Sequence, residues 1–166
     1  TAGREALYAF CSAHGIAHDR CGKVVVAVDE RELPALDELE RRGRANGLQG
    51  LERLDAAQVS AREPHARALA GLFVPQTGIV DYTRVTEVMG EMLRRRGGEI
   101  RLGTMLHAGQ ATADGVRLTT SAGELRARIL VNCTGLHCDR VARRCGVDPG
   151  VRIVPFRGEY YEVRPE

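Results

Sequence analysis

No stretch of this 166-residue sequence approaches the roughly 18–20 consecutive apolar residues that a membrane-spanning helix requires. The opening residues Thr1-Ala2-Gly3-Arg4-Glu5 lack the basic-then-apolar pattern of a secretory leader. They also lack an initiator methionine, which suggests a processed or truncated chain. Charge of one sign is scarce. With 24 basic against 22 acidic side chains the formal net charge is +2. That gives no ground for a nucleic-acid or membrane-surface partner and leaves a solvated mixed surface as the reading. Four motifs are missing: the G-x-G-x-x-G loop, the Walker loop, the His-Glu-x-x-His pair and the G-x-S-x-G elbow. Their absence leaves hydrolase and nucleoside-triphosphatase readings without support.

What is present fits a globular chain, with 43% apolar and 28% charged residues. A chain this long buries roughly 70% of the surface it exposes when unfolded, as one domain or two packed halves. Five cysteines, an odd number in apolar surroundings, read as reduced, mostly buried thiols of a cytosolic protein. Cys11, His14, His18 and Cys21 have a zinc-like spacing. They straddle a helix end, a loop and a strand start, however, and His14 already suits a helix C-terminus through the dipole. The reading adopted is no metal site.

Hydrophobic periodicity organises the rest. Ala6, Leu7, Phe10 and Cys11 form a helical stripe that Gly15 stops. Gly22 to Val28 is a β-branched run and reads as a buried strand. Residues 30 to 46 repeat Leu33, Leu36 and Leu39 on a polar background, with Pro34 in the tolerant first turn, and read as an amphipathic helix ending at Asn46-Gly47. Asp55 is placed to cap the amides of Ala57 or Gln58 in a short helix that stops at Pro64. Two extended pieces follow, at 70–75 and 78–81. A helix is predicted from Thr83 to Arg96, with Val85, Val88, Met89 and Met92 inward and Gly97-Gly98 as its stop.

In the last third, short strands are predicted at Glu99–Leu102 and around Thr104–Leu106. A hairpin of 116–120 and 124–128 turns at Ser121-Ala122-Gly123. The unbroken run Ile129-Leu130-Val131 reads as a central parallel strand, and a helix follows from about Cys138 to Cys145. A final strand pair is expected at 151–154 and 159–163. Residues 81 to 150 then form a βαβ-like unit, and the fold class is α/β with α+β mixing, in two interleaved lobes.

Two places invite chemistry. At Val131-Asn132-Cys133-Thr134-Gly135-Leu136 an apolar run gives way to a small residue and glycine before a helix. There the backbone can approach a ligand that a Cβ would block; a plain strand-to-helix turn is the alternative. At Pro155-Phe156-Arg157-Gly158 an arginine beside glycine can offer a fixed guanidinium to a carboxylate or to flavin, with Tyr160 and Tyr161 as hydroxyl donors. The alternative is an exposed arginine on an edge strand.

Several stretches in order resemble the D-amino-acid-oxidase-like FAD-dependent oxidoreductases. They are Gly78-Ile79-Val80-Asp81-Tyr82, Gly97-Gly98-Glu99-Ile100, Leu130–Leu136 and Ile153–Tyr161. Ala9-Phe10-Cys11, Cys21-Gly22-Lys23 and Phe73–Val80 look like the L-2-hydroxyglutarate dehydrogenase/oxidase branch. The resemblance implies an FAD-binding α/β lobe, incomplete here, and a sheet-rich substrate lobe. Residues 1–80 would belong mainly to the substrate lobe, 81–150 to the FAD lobe and 151–166 to the returning substrate-lobe strands. It also implies oxidation of a 2-hydroxy acid by hydride transfer to flavin. Flavin contacts are implied at Thr104 to Leu106 and at Cys133, Thr134, Gly135 and Leu136, with Arg157 as the substrate-binding or flavin-contacting candidate. The branch implies L-2-hydroxyglutarate as substrate; an amine, amino-acid or glycerol-3-phosphate oxidoreductase and a non-catalytic interaction domain are the alternatives. The catalytic base and the electron acceptor are not named by any residue here. The expected location is cytoplasmic, free or at the membrane periphery. The family's Gly-rich pyrophosphate loop, acidic ribose partner, His-containing flavin-ring segment and later Gly-rich stretch do not occur in these residues. The expectation is therefore an internal fragment that binds FAD poorly and is inactive alone.

Overall fold

In the computed structural model, which describes residues 2–161, the chain falls into two units, Thr1–Glu99 and Ile100–Glu166. The first is built on a three-stranded antiparallel sheet in the order β2-β4-β3, formed by β2 (Lys23–Ala27), β3 (Glu52–Asp55) and β4 (Ala70–Val74). Side chains alternate across a pleated strand. Val25, Ala27, Leu72 and Val74 accordingly share one face, packed with Leu33, Leu36, Leu48 and Leu51 of helix α2 (Leu33–Ala45) and the loop after it. On the other face lies Gly71. A Cβ there would come within 2.7 Å of Val59, the fully buried side chain of helix α3 (Ala56–Arg62). Asp55 starts α3 as expected. Its carboxylate accepts from the Gln58 amide at 2.8 Å, and the Gln58 side chain returns a bond to the Asp55 amide at 2.9 Å.

Helix α1 (Ala2–Ala13) ends at Gly15, whose φ of +64° suits the left-handed cap. Its Cys11, with Ile16, packs against Val85 and Val88 of helix α4 (Tyr82–Arg95). Asp81 caps α4 by accepting from the Arg84 amide at 2.9 Å. Of the four residues predicted to face inward, Met89 is 50% exposed. Val85, Val88 and Met92 complete a stripe too narrow to include it. The cysteines also differ from expectation, since Cys11 is buried but Cys21 and Cys133 are exposed; both lie in irregular chain rather than in packed elements.

A two-stranded ribbon pairs β1 (His18–Asp19) with β5 (Ile79–Val80). Beside it Gly78 runs against the Asp19 carbonyl and the Tyr8 hydroxyl, with Arg20 Cα 3.1 Å from where a Cβ would stand. Backbone atoms cannot yield as side chains do. Gly78→Ala should cost about 1–3 kcal/mol, the range for overpacking, read as a lower urea midpoint; an unchanged midpoint would contradict this packing.

The second unit is an antiparallel meander of β6 (Leu106–Thr112), β7 (Gly115–Thr120) and β8 (Gly123–Ala127), followed by helix α5 (Cys138–Arg144). The hairpin was predicted, while β6 starts where a strand was expected to end and runs six residues further. Helix and sheet content is mixed, as expected, but every strand pair among the described residues is antiparallel. The strands predicted at 99–102, 129–131, 151–154 and 159–161 are not formed, and with them goes the βαβ unit over 81–150. Glu162 and Val163, the end of that last strand, lie outside the described residues. The cause is pairing: a strand must satisfy its amides and carbonyls on a neighbour, and no described residue pairs with these runs. Ile129 and Val131 are left 78% and 73% exposed. No described helix is long and apolar enough to cross a membrane.

Candidate functional site

The stretch between β8 and α5 is held by one side chain. Asn132 donates from Nδ2 to the Cys138 carbonyl at 2.8 Å. Its Oδ1 accepts from the Thr134 hydroxyl at 2.7 Å and from the Thr134 amide at 3.4 Å. The Thr134 carbonyl accepts from the His137 amide at 3.1 Å, which starts the single 3-10 turn Gly135–His137 ahead of α5. Gly135 sits at φ +56°, a left-handed conformation that costs a side-chain-bearing residue energy and glycine little. Nothing lies within 4 Å of where its Cβ would be. Cys133, Thr134, Gly135 and Leu136 are all exposed. The main chain of this turn is bare, and no described side chain of the second unit plugs it.

Thr104 and Leu106 are half-buried. The Thr104 hydroxyl donates to the Leu102 carbonyl at 3.3 Å. Next to it, the Met105 amide donates to the Ser121 hydroxyl and the Ser121 amide to the Met105 carbonyl, both at 2.9 Å. The Leu106 carbonyl accepts from Arg144 of α5 at 2.9 Å, and Cys145 lies over Gly109. Helix α5 thus ties the start of β6 to the turn from which it springs. Both predicted cofactor segments are anchored to one helix.

Arg157 is different. It lies in irregular chain rather than in a strand, and the flanking Phe156 is 92% exposed. No hydrogen bond joins Arg157 to another described residue. The segment leading to it is nonetheless pinned. Asp139, 5% exposed, accepts at Oδ2 from Arg143 at 2.9 Å and from the Ile153 amide at 3.4 Å. Arg143 also donates to the Val151 carbonyl at 2.9 Å. The Arg143 hydrogen bond holds the Asp139 carboxyl below the ordinary aspartate value against the opposing effect of burial. The sequence reading missed both Asn132 and Asp139. An asparagine two residues before a threonine, between an apolar run and a glycine, is the local side-chain-to-backbone signal that points to the first. The spacing of four to Arg143 announces only a helical charge pair; nothing local announces the bond to the Ile153 amide, fourteen residues on.

A carboxyl whose folded value is depressed contributes stability above its unfolded value and loses it as pH falls through the folded one. Asp139→Asn should therefore unfold more easily than wild type at neutral pH, and the gap should close as pH drops below 3.8, the ordinary aspartate value. Denaturant midpoints from pH 7 down to 3 test this, and a gap that does not change with pH contradicts it.

Elsewhere, Cys11 is packed in the core and the His18 ring bonds to the Ile16 carbonyl at 2.7 Å and to Ser12 at 3.3 Å. No three His, Cys, Asp or Glu side chains among the described residues come together as metal ligands.

Residues 1–166 match the FAD dependent oxidoreductase family, and the chain belongs to it. It is similar to the L-2-hydroxyglutarate dehydrogenase of Escherichia coli (strain K12), at 40% identity over 166 residues, which cover 99% of this chain and 39% of that protein. The mitochondrial L-2-hydroxyglutarate dehydrogenase of Homo sapiens is 33% identical over 176 residues, again 99% of this chain and 38% of its own. The chain thus spans about two fifths of the length of these relatives. Glycine oxidase from Geobacillus kaustophilus shares the fold at a TM-score of 0.74 and 20% identity, over 86% of this chain and 40% of that one.

Proposed function

We propose that the chain is part of an FAD-dependent oxidoreductase that oxidises a 2-hydroxy acid, L-2-hydroxyglutarate to 2-oxoglutarate. The observation carrying this reading is the bare main chain at Gly135, which a planar cofactor can approach without meeting a Cβ. Cys133, Thr134, Gly135 and Leu136 would hold the flavin on that side, with Thr104 to Leu106 as a second backbone contact joined to the turn through Arg144. The flavin, when bound, supplies the oxidising chemistry by accepting the hydride from the carbon that bears the hydroxyl. The protein's share is positioning. In the second unit that share falls to the left-handed glycine, the Asn132 bonds and the Asp139–Arg143 pair, which brings the Arg157 segment back onto α5.

The lobe assignment follows the same reading, with the first unit's sheet in the substrate lobe and 81–150 in the cofactor lobe. Arg157 is the candidate carboxylate or flavin contact, since a guanidinium with no hydrogen-bond partner among the described residues is available for two parallel hydrogen bonds. Substrate class rests on a different footing from the cofactor. It follows the 40% identity to the bacterial dehydrogenase rather than the 20% identity to glycine oxidase, which speaks for the fold alone.

Two experiments test the reading. The complete gene product should be yellow and should reduce an artificial electron acceptor when given L-2-hydroxyglutarate; a colourless product that takes up no added FAD overturns it. In that same product Gly135→Val places a branched side chain at φ +56°, on the face the flavin would occupy. It should strip most of the flavin during purification, and FAD content equal to wild type would remove the turn from the site.

A further inference from the structure

We propose that Asn132 is the positioning residue of this turn, the side chain that keeps the Thr134 and Gly135 backbone in the shape a flavin can lie against. The proposal rests on the reading of the turn as a flavin contact and adds the residue that creates it. No strand or helix holds the stretch from Ile129 to Thr134. Its apolar side chains at 129 and 131 are largely exposed, and Cys133 to His137 are exposed as well. Within 131–137 only Asn132 is half-buried, and it alone reaches both sides of the turn.

The two halves of its amide do different work. The carbonyl oxygen accepts from the Thr134 hydroxyl at 2.7 Å and from the Thr134 amide at 3.4 Å. The Thr134 main chain is thus fixed one residue before the glycine that must stay at positive φ. The NH2 group donates to the Cys138 carbonyl at 2.8 Å and so ties the entry of the turn to the first residue of α5. An aspartate keeps the acceptor half but sets a carboxylate oxygen against the Cys138 carbonyl. An alanine keeps neither. The residue touches no cofactor atom in this scheme; it acts through the backbone of its neighbours.

The test uses the complete gene product, with FAD dissociation constants read by flavin fluorescence and the thermal unfolding of the FAD-free protein measured alongside. Asn132→Ala should weaken FAD binding on the order of 10-fold, the loss expected when about two modest hydrogen bonds stop organising a site, beyond the small drop in the FAD-free unfolding temperature that losing those bonds itself causes. Asn132→Asp should fall between alanine and wild type. Thr134→Val should weaken binding in the wild-type background but add little on top of Asn132→Ala, because the two groups share one bond. Equal FAD affinity in Asn132→Ala and wild type overturns the proposal. So does a loss of affinity matched step for step by a drop in the FAD-free unfolding temperature, since that marks a general structural role. A wild-type product that binds no FAD overturns the flavin reading itself, a result separate from either of these.

Discussion

A strand persists only where a neighbour takes up its amides and carbonyls, and β4 has such a neighbour on both sides. Its residues 70 to 74 pair with β2 along one edge and its residues 70 to 73 with β3 along the other. That double pairing sets the alternation that sends Leu72 and Val74 towards α2 and leaves Gly71 under Val59. The helices follow from the sheet rather than the reverse, because α2 and α3 are too short to be stable without a packed face. The same constraint explains where order stops. Ile129-Leu130-Val131 is apolar, and the segment from 151 to 161 carries several β-branched and aromatic residues among its charges, yet they are not strands here. A run of this kind becomes a strand when another strand is laid beside it, and its composition alone is not enough.

This is why the sequence was legible in some regions and misleading in others. The α2 and α3 helices and the β7–β8 hairpin carry their signals within a few residues: leucines at helical steps, the Asp55–Gln58 capping box, the Ser121-Ala122-Gly123 turn. Local chemistry decides such elements, and reading them needs no knowledge of the neighbours. The short strands β1 and β3 have no such signature. His18-Asp19 and Glu52-Arg53-Leu54-Asp55 contain no β-branched residue, and they are strands because Ile79-Val80 and β4 offer them an edge. Conversely, the strongest strand composition in the last third, at 129–131, has no edge to join. Propensity misled where pairing decided.

The candidate site divides along the same line. Thr134 and Gly135 were legible because a glycine after an apolar run carries its conformational meaning with it. Asn132 was half-legible, its bonds being local but its reach to Cys138 depending on where α5 begins. Leu106 was placed at a site by family resemblance, and the structure shows how it is held, through Arg144 thirty-eight positions away. The Asp139–Arg143 spacing of four is an ordinary helical charge pair, but its hold on Val151 and Ile153 could not be read at all. A buried carboxylate bonded to a distant amide leaves no trace in spacing.

A contact made by main chain depends on a torsion angle and on the absence of one carbon atom, and it tolerates almost any change of side chain around it. Twenty per cent identity to glycine oxidase with a TM-score of 0.74 is therefore compatible with a turn of the same shape, and it says nothing about what is oxidised. Substrate choice runs on the opposite rule. It is made by the ends of side chains, by a guanidinium or a hydroxyl within hydrogen-bond reach of a particular carboxylate, and one substitution can redirect it. Arg157, exposed on irregular chain and pinned among the described residues through Ile153 and Val151, is where that choice would be made in the function proposed above. The Thr134–Gly135 turn is the kind that stays indifferent to it. Cofactor contact and substrate choice therefore rest on different parts of the chain, and the first can persist where the second changes.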